Sequence, residues 1–148
     1  MNDLRELYQE IILDHNRRPR NRGQVSGANR EAEGHNPLCG DQVKVTLLTD
    51  NGLVQDIAFE GQGCAISTAS ASLMTEAVKG KTVDEAEKIF REFQTMVTET
   101  GDATDHSELG DLEVFSGVRE YPVRIKCATL PWHTLHAALS GEEKVSTE

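Results

Sequence analysis

Val43, Val45 and Leu47 alternate with polar neighbours, Asp50-Asn51-Gly52 supplies a turn, and Leu53, Ile57 and Phe59 alternate again. A period of two on both sides of an Asn-Gly step predicts a β-hairpin, which sends every second side chain to one face. Cys39 precedes this hairpin and Cys64 follows it. Gly61 and Gly63 then let the backbone turn into Ala65 to Lys79, a segment dense in Ala and Ser with Leu73, Met74, Ala77 and Val78 on later turns, which predicts a helix packed closely on the sheet.

The rest of the chain reads as further helices. Leu4, Leu7, Tyr8, Ile11 and Ile12 recur at helical spacing behind Asn2 or Asp3 as caps, with Pro19 ending the run. Thr82 and Glu85 form a capping box ahead of Val83, Ala86, Phe90, Phe93 and Val97, after a stop at Gly80. Residues 98–118 hold Glu99, Asp102, Asp105, Glu108, Asp111 and Glu113 with no Lys or Arg, the pattern of a solvated excursion with at most a short helix. Pro131 lacks an N–H and fits a first helical turn, so the last helix is expected to start near Cys127, carry Leu130, Leu135, Ala138 and Leu139 inward, and close at Gly141.

At 148 residues the chain has one domain's length, and residues 1–148 are expected to form a single domain. A formal charge of -10 argues against a nucleic-acid partner, whose phosphates call for Lys and Arg. Arg17, Arg18, Arg20 and Arg22 make the one dense basic cluster, better read as a solvated segment than as a dock for an acidic partner. The start lacks the basic and apolar regions of a secretory signal, and no stretch approaches the ~20 apolar residues of a membrane helix, so a cytoplasmic location is expected. No serine triad, phosphate loop or dinucleotide fingerprint is present.

Cys39, Cys64 and Cys127 cannot all pair as disulfides, and in a reducing compartment scattered cysteines point to metal or sulfur chemistry. Cys64 and Cys127 are expected at helix N-termini, where unpaired N–H groups favour thiolates. Asp41 lies two residues beyond Cys39, on the same side of an extended segment. Three sulfurs and one oxygen would complete a Zn-type tetrahedron. Spacing alone leaves the alternative of three buried structural thiols open, since no Cys-x-x-Cys pair is present.

Asn36-Pro37-Leu38-Cys39-Gly40-Asp41, then Phe59-Glu60-Gly61-Gln62-Gly63-Cys64-Ala65-Ile66-Ser67 with Ala69-Ser70-Ala71-Ser72, then Arg124-Ile125-Lys126-Cys127-Ala128, resemble the iron-sulfur assembly family that includes IscU, the N-terminal domain of NifU, and SufU. The resemblance runs from the first helix nearly to the C-terminus and implies an α+β fold, a small, mainly antiparallel three-stranded sheet covered by helices. Lys126 stands where the IscU branch has a histidine before its last cysteine, and residues 98–118 resemble the extra segment of the SufU branch. Similarity to SufU implies Cys39, Asp41, Cys64 and Cys127 as zinc ligands, and Cys39 as acceptor of persulfide sulfur from a SufS-type, pyridoxal-phosphate cysteine desulfurase, with downstream iron-sulfur assembly proteins as recipients.

Two other functions fit the same residues: a scaffold that builds a [2Fe-2S] cluster on the three cysteines, and a zinc-stabilised interaction domain without sulfur chemistry. Arg124 and Lys126 would either stabilise the anionic centre or act as ordinary surface cations. Other candidates are weaker than the four: His35, four residues before Cys39, is the nearest histidine for supporting the ligands or replacing one. His133 and His136 are expected in surface or packing roles, His15 and His106 in exposed positions, and Trp132 in packing or a partner contact.

Overall fold

In the computed structural model, which describes residues 3–36, 40–98, 112, 114–115, 122–141 and 144–146, the chain runs α1 (Asp3–Arg17), β1 (Arg30–Asn36), β2 (Asp41–Asp50), β3 (Leu53–Gln62), α2 (Ala65–Val78), α3 (Val83–Thr98), α4 (Pro122–Ser140) and β4 (Lys144–Ser146). The expected hairpin is β2 and β3. Asp50 pairs with Leu53, and Asn51 and Gly52 between them take φ of 54° and 76°, the left-handed pair that a two-residue turn of matching twist requires.

Strand order is β3-β2-β1-β4, with β1–β2 and β2–β3 antiparallel and β4 running parallel to β1 along Glu33 to His35. The mainly antiparallel three-stranded sheet is therefore present, with a short fourth strand at its edge. β1 carries little apolar signal, because its inward positions are Ala32, Gly34 and Asn36. Small residues are needed there: a Cβ on Gly34 would overlap the Thr134 side chain of α4.

Helices α2 and α4 lie on one sheet face, α1 packs on α2, and α3 packs on α4. Val43, Val45, Leu47, Ile57 and Phe59 point from the sheet into this layer and are buried. Each aliphatic or aromatic side chain of that kind contributes about 1.5–3 kcal/mol on removal from water. The Ala- and Ser-rich surface of α2 brings it close to α4, where Ser70 Oγ donates to the Ala128 carbonyl at 2.6 Å. The capping box forms in both directions: Glu85 Oε1 accepts from Thr82 N–H at 2.9 Å, and Thr82 Oγ1 accepts from Glu85 N–H at 3.0 Å. Trp132 is in the core, stacked on Phe93 with centroids 4.9 Å apart, which settles it as a packing residue.

Three expectations need correction. The last helix begins at Pro122, which takes the first-turn place that the sequence suggested for Pro131; Pro131 sits inside α4, and Cys127 lies in its second turn and not at its N-terminus. Packing of Cys127, Ala128, Leu130 and Leu135 into the core outweighs the amide that Pro131 fails to supply to the helix. His15 is buried: its Nδ1 lies 2.6 Å from Ser72 Oγ, which also accepts the Arg20 N–H at 2.9 Å, and its Nε2 is 3.7 Å from Glu76 Oε1. The excursion at 98–118 lies mostly outside the described residues, as does His106, yet Leu112, Val114 and Phe115 are buried, with Phe115 edge-on to Phe93 at 5.9 Å. That part of the segment is core and not solvated.

Candidate metal centre

Asp41 opens β2 and faces the helix-covered side, as does Asn36, its partner across the end of β1. Gly40 N–H donates to Asn36 O at 2.9 Å, tying the residue before β2 to the end of β1. On the neighbouring strand β3 ends at Gln62, paired with Gln42, and Gly63 leads into Cys64 at the start of α2. Cys127 approaches the same point from α4. A strand start, a helix start and a helix interior thus meet at one end of the sheet.

The result is a group of three donors, Asp41, Cys64 and Cys127, whose ligand atoms all lie within 4.8 Å of one another. Asp41 is 1 % exposed and Cys127 4 %, whereas Cys64 is open to solvent. Asp41 Oδ1 accepts the Cys64 N–H at 2.9 Å, and Oδ2 is 3.7 Å from Cys64 Sγ. A buried carboxylate is thereby held by a backbone donor and turned toward sulfur.

Cys64 is the N-cap of α2, and its sulfur accepts the Ser67 N–H at 3.4 Å. Its thiol is drawn from 9.0 down to about 7, first by a hydrogen bond from Cys127; partial burial and the Asp41 charge oppose this, and the Ser67 and Ile66 amides assist it. The helix-terminus argument therefore holds for Cys64. Cys127 owes its place to tertiary packing and not to a helix start.

Cys39 lies outside the described residues. His35 is exposed on the open face of the sheet, paired with Gln42, while Asn36 and Asp41 beside them face inward; it does not join the cluster. Arg124 is exposed and Lys126 partly so, both on the first turns of α4 near Cys127. His136 Nδ1 meets Glu87 Oε1 at 2.8 Å, and His133 stands edge-on to Phe90 at 5.3 Å, so both serve the α3–α4 seam. Burial, with a smaller contribution from His136, holds the His133 pKa below its ordinary value.

Two supports escaped the sequence reading. Ser70 ties the cysteine-bearing α2 to α4 one residue past Cys127, and Gly63 gives room for the Asp41 carboxylate. Buried Ser67, Ser70 and Ser72 share a segment with helical spacing, and inward hydroxyls there were the available signal.

The donor set suits zinc: two sulfurs and a carboxylate oxygen are ligands it takes in tetrahedral sites, and a thiol near pKa 7 gives up its proton readily at neutral pH.

The chain is similar to known proteins in sequence and in fold. The family model described as NifU-like N terminal domain matches residues 7–128. The zinc-dependent sulfurtransferase SufU of Bacillus subtilis is 42% identical over 141 residues, covering 95% of this chain and 95% of that protein. The iron-sulfur cluster assembly scaffold protein IscU of Streptococcus pyogenes is 41% identical, covering 94% of this chain and 86% of its own length. Among solved structures, FiSufU of Fervidobacterium islandicum AW-1 superposes with a TM-score of 0.83 at 39% identity, covering 90% of this chain and 97% of its own. The N-terminal part of a NifU-like protein from Brucella abortus gives 0.82 at 29% identity, covering 93% and 94%.

Proposed function

Because the chain belongs to the NifU-like N-terminal domain family, as a SufU-type member, we propose that it is a zinc-dependent sulfur acceptor that takes persulfide sulfur from a cysteine desulfurase and passes it toward iron-sulfur cluster assembly. The observation that carries the reading is the convergence of Asp41, Cys64 and Cys127 from three elements onto one point. Cys39, one residue before Gly40 and two before Asp41, is the fourth donor in this proposal. Bound zinc would keep the cysteines as thiolates at neutral pH.

Cys39 is also the proposed acceptor. Cys64 is engaged as a helix cap and Cys127 is buried in α4, whereas Cys39 adjoins Gly40, whose φ is +75° and where a Cβ would meet nothing within 4 Å. Acceptance is a thiolate exchange. The Cys39 sulfur bonds to the terminal sulfur of the partner's persulfide, the partner's S–S bond breaks, and the partner's cysteine leaves as thiolate, so neither an oxidant nor a reductant is consumed. A pyridoxal-phosphate desulfurase of the SufS type is the proposed donor.

Addition of the chain to such a desulfurase should raise cysteine turnover. Cys39→Ala should abolish that stimulation while the protein stays folded, and full stimulation by the variant would refute the acceptor role. A scaffold function is the second reading, favoured by the IscU relatives and by thiolates that suit an iron-sulfur cluster equally. It calls for a coloured, iron- and sulfide-bearing protein after anaerobic reconstitution, where the sulfur-relay reading calls for a colourless protein with one zinc.

A further inference from the structure

A methyl group built on Gly63 would lie 2.7 Å from Asp41 Oδ1, 3.0 Å from its Cγ and 3.3 Å from its Cβ. The first contact is closer than non-bonded heavy atoms approach, and the carboxylate has little room to retreat, being 1 % exposed and hydrogen-bonded through that same oxygen to the Cys64 N–H at 2.9 Å. Gly61, two residues earlier, is a different case. Its φ is +143°, and a Cβ there would overlap the Gln42 carbonyl and sit 2.9 Å from Val43 Cα, so a side chain at Gly61 would collide with the sheet itself. At Gly63 the backbone lies outside the left-handed region and the nearest atoms all belong to one side chain.

We propose that Gly63 is a positioning residue for the oxygen donor of the centre. Without a side chain at 63, the Asp41 carboxylate closes down on the Cys64 amide, which occupies Oδ1 and leaves Oδ2 facing Cys64 Sγ at 3.7 Å. The carboxylate is thereby fixed to offer a single oxygen. A methyl group at 63 forces the carboxylate off the amide and spoils the oxygen ligand while Cys64 and Cys127 keep their places. The inference rests on the reading of Asp41 as a zinc ligand.

Zinc competition against a chromophoric chelator, with cobalt(II) absorption as a reporter of ligand geometry, tests it on the full chain as wild type, Gly63→Ala, Asp41→Ala and the double variant. Gly63→Ala should weaken zinc by about tenfold, the scale of a lost support to a ligand, and should alter the cobalt ligand-field bands while thiolate-to-cobalt charge transfer persists. Asp41→Ala should weaken zinc at least as much, and the double variant no further, because the methyl group has no carboxylate left to displace. Wild-type affinity in Gly63→Ala beside a weakened Asp41→Ala overturns this inference alone, as does an additive loss in the double variant. Wild-type affinity in Asp41→Ala overturns both the inference and the ligand reading. Circular dichroism of metal-free Gly63→Ala should match the wild type; loss of the fold would place the clash on the backbone and overturn the proposal.

Discussion

At the scale of single residues, the Cys64 thiol is where local structure turns into chemistry. It caps α2, takes hydrogen bonds from Cys127 and Ser67, and its pKa falls from 9.0 to about 7, so a large share is thiolate at neutral pH once metal is withdrawn. Cys127 is 4 % exposed on the same cluster. With zinc chelated, iodoacetamide should therefore label Cys64 well ahead of Cys127, at a rate that climbs through pH 7 and flattens by about pH 8. Equal labelling of the two, or a rate still rising near pH 9 as for an ordinary thiol, would contradict the electrostatic account. That Asp41, Cys64 and Cys127 belong together was legible through their motifs and not through spacing, since the residues between them carry no metal-site pattern. His15 was misplaced because a helical wheel shows which face is polar, and it cannot show that a serine on another helix waits for the ring.

Elements hold these residues in place, and the tie between α2 and α4 is the one that spans the centre. Ser70 Oγ donates to Ala128 O at 2.6 Å with both groups buried. Ser70→Ala removes the donor yet leaves the carbonyl in the α4 ladder, so the cost should be about 1 kcal/mol of stability in urea unfolding, together with weaker zinc binding. Loss of stability with zinc affinity unchanged would mean that the tie has no bearing on the two cysteines. The hairpin and the capping box of α3 were legible because their signals are local: alternation, Asn51-Gly52, and Thr82 with Glu85. β1 was not, because its inward residues are small or polar and its identity comes from pairing with β2. The start of α4 was misread because Pro131 was treated as punctuation. A proline inside a helix is costly in isolation, and core packing on both sides of it overrides that cost here.

For the molecule as a whole, the sheet and its helical layer bring distant segments of sequence to one end of the fold, where an otherwise acidic chain places buried and exposed ligands side by side. One open cysteine beside one buried cysteine suits a centre that holds a metal and also meets a partner, and a wholly enclosed structural site would not expose Cys64. No helix among the described residues is long and apolar enough to cross a membrane. The family and its sheet were legible from three motifs in order, whereas the burial of Leu112, Val114 and Phe115 was hidden by the acidic residues around them. X-ray absorption at the zinc edge, on the protein carrying one zinc per chain, bears on the centre most directly. Three sulfurs at about 2.3 Å and one lighter atom at about 2.0 Å are expected, the shell of Cys39, Asp41, Cys64 and Cys127. A shell with fewer than three sulfurs, or a chain that takes up no stoichiometric zinc, would contradict the account.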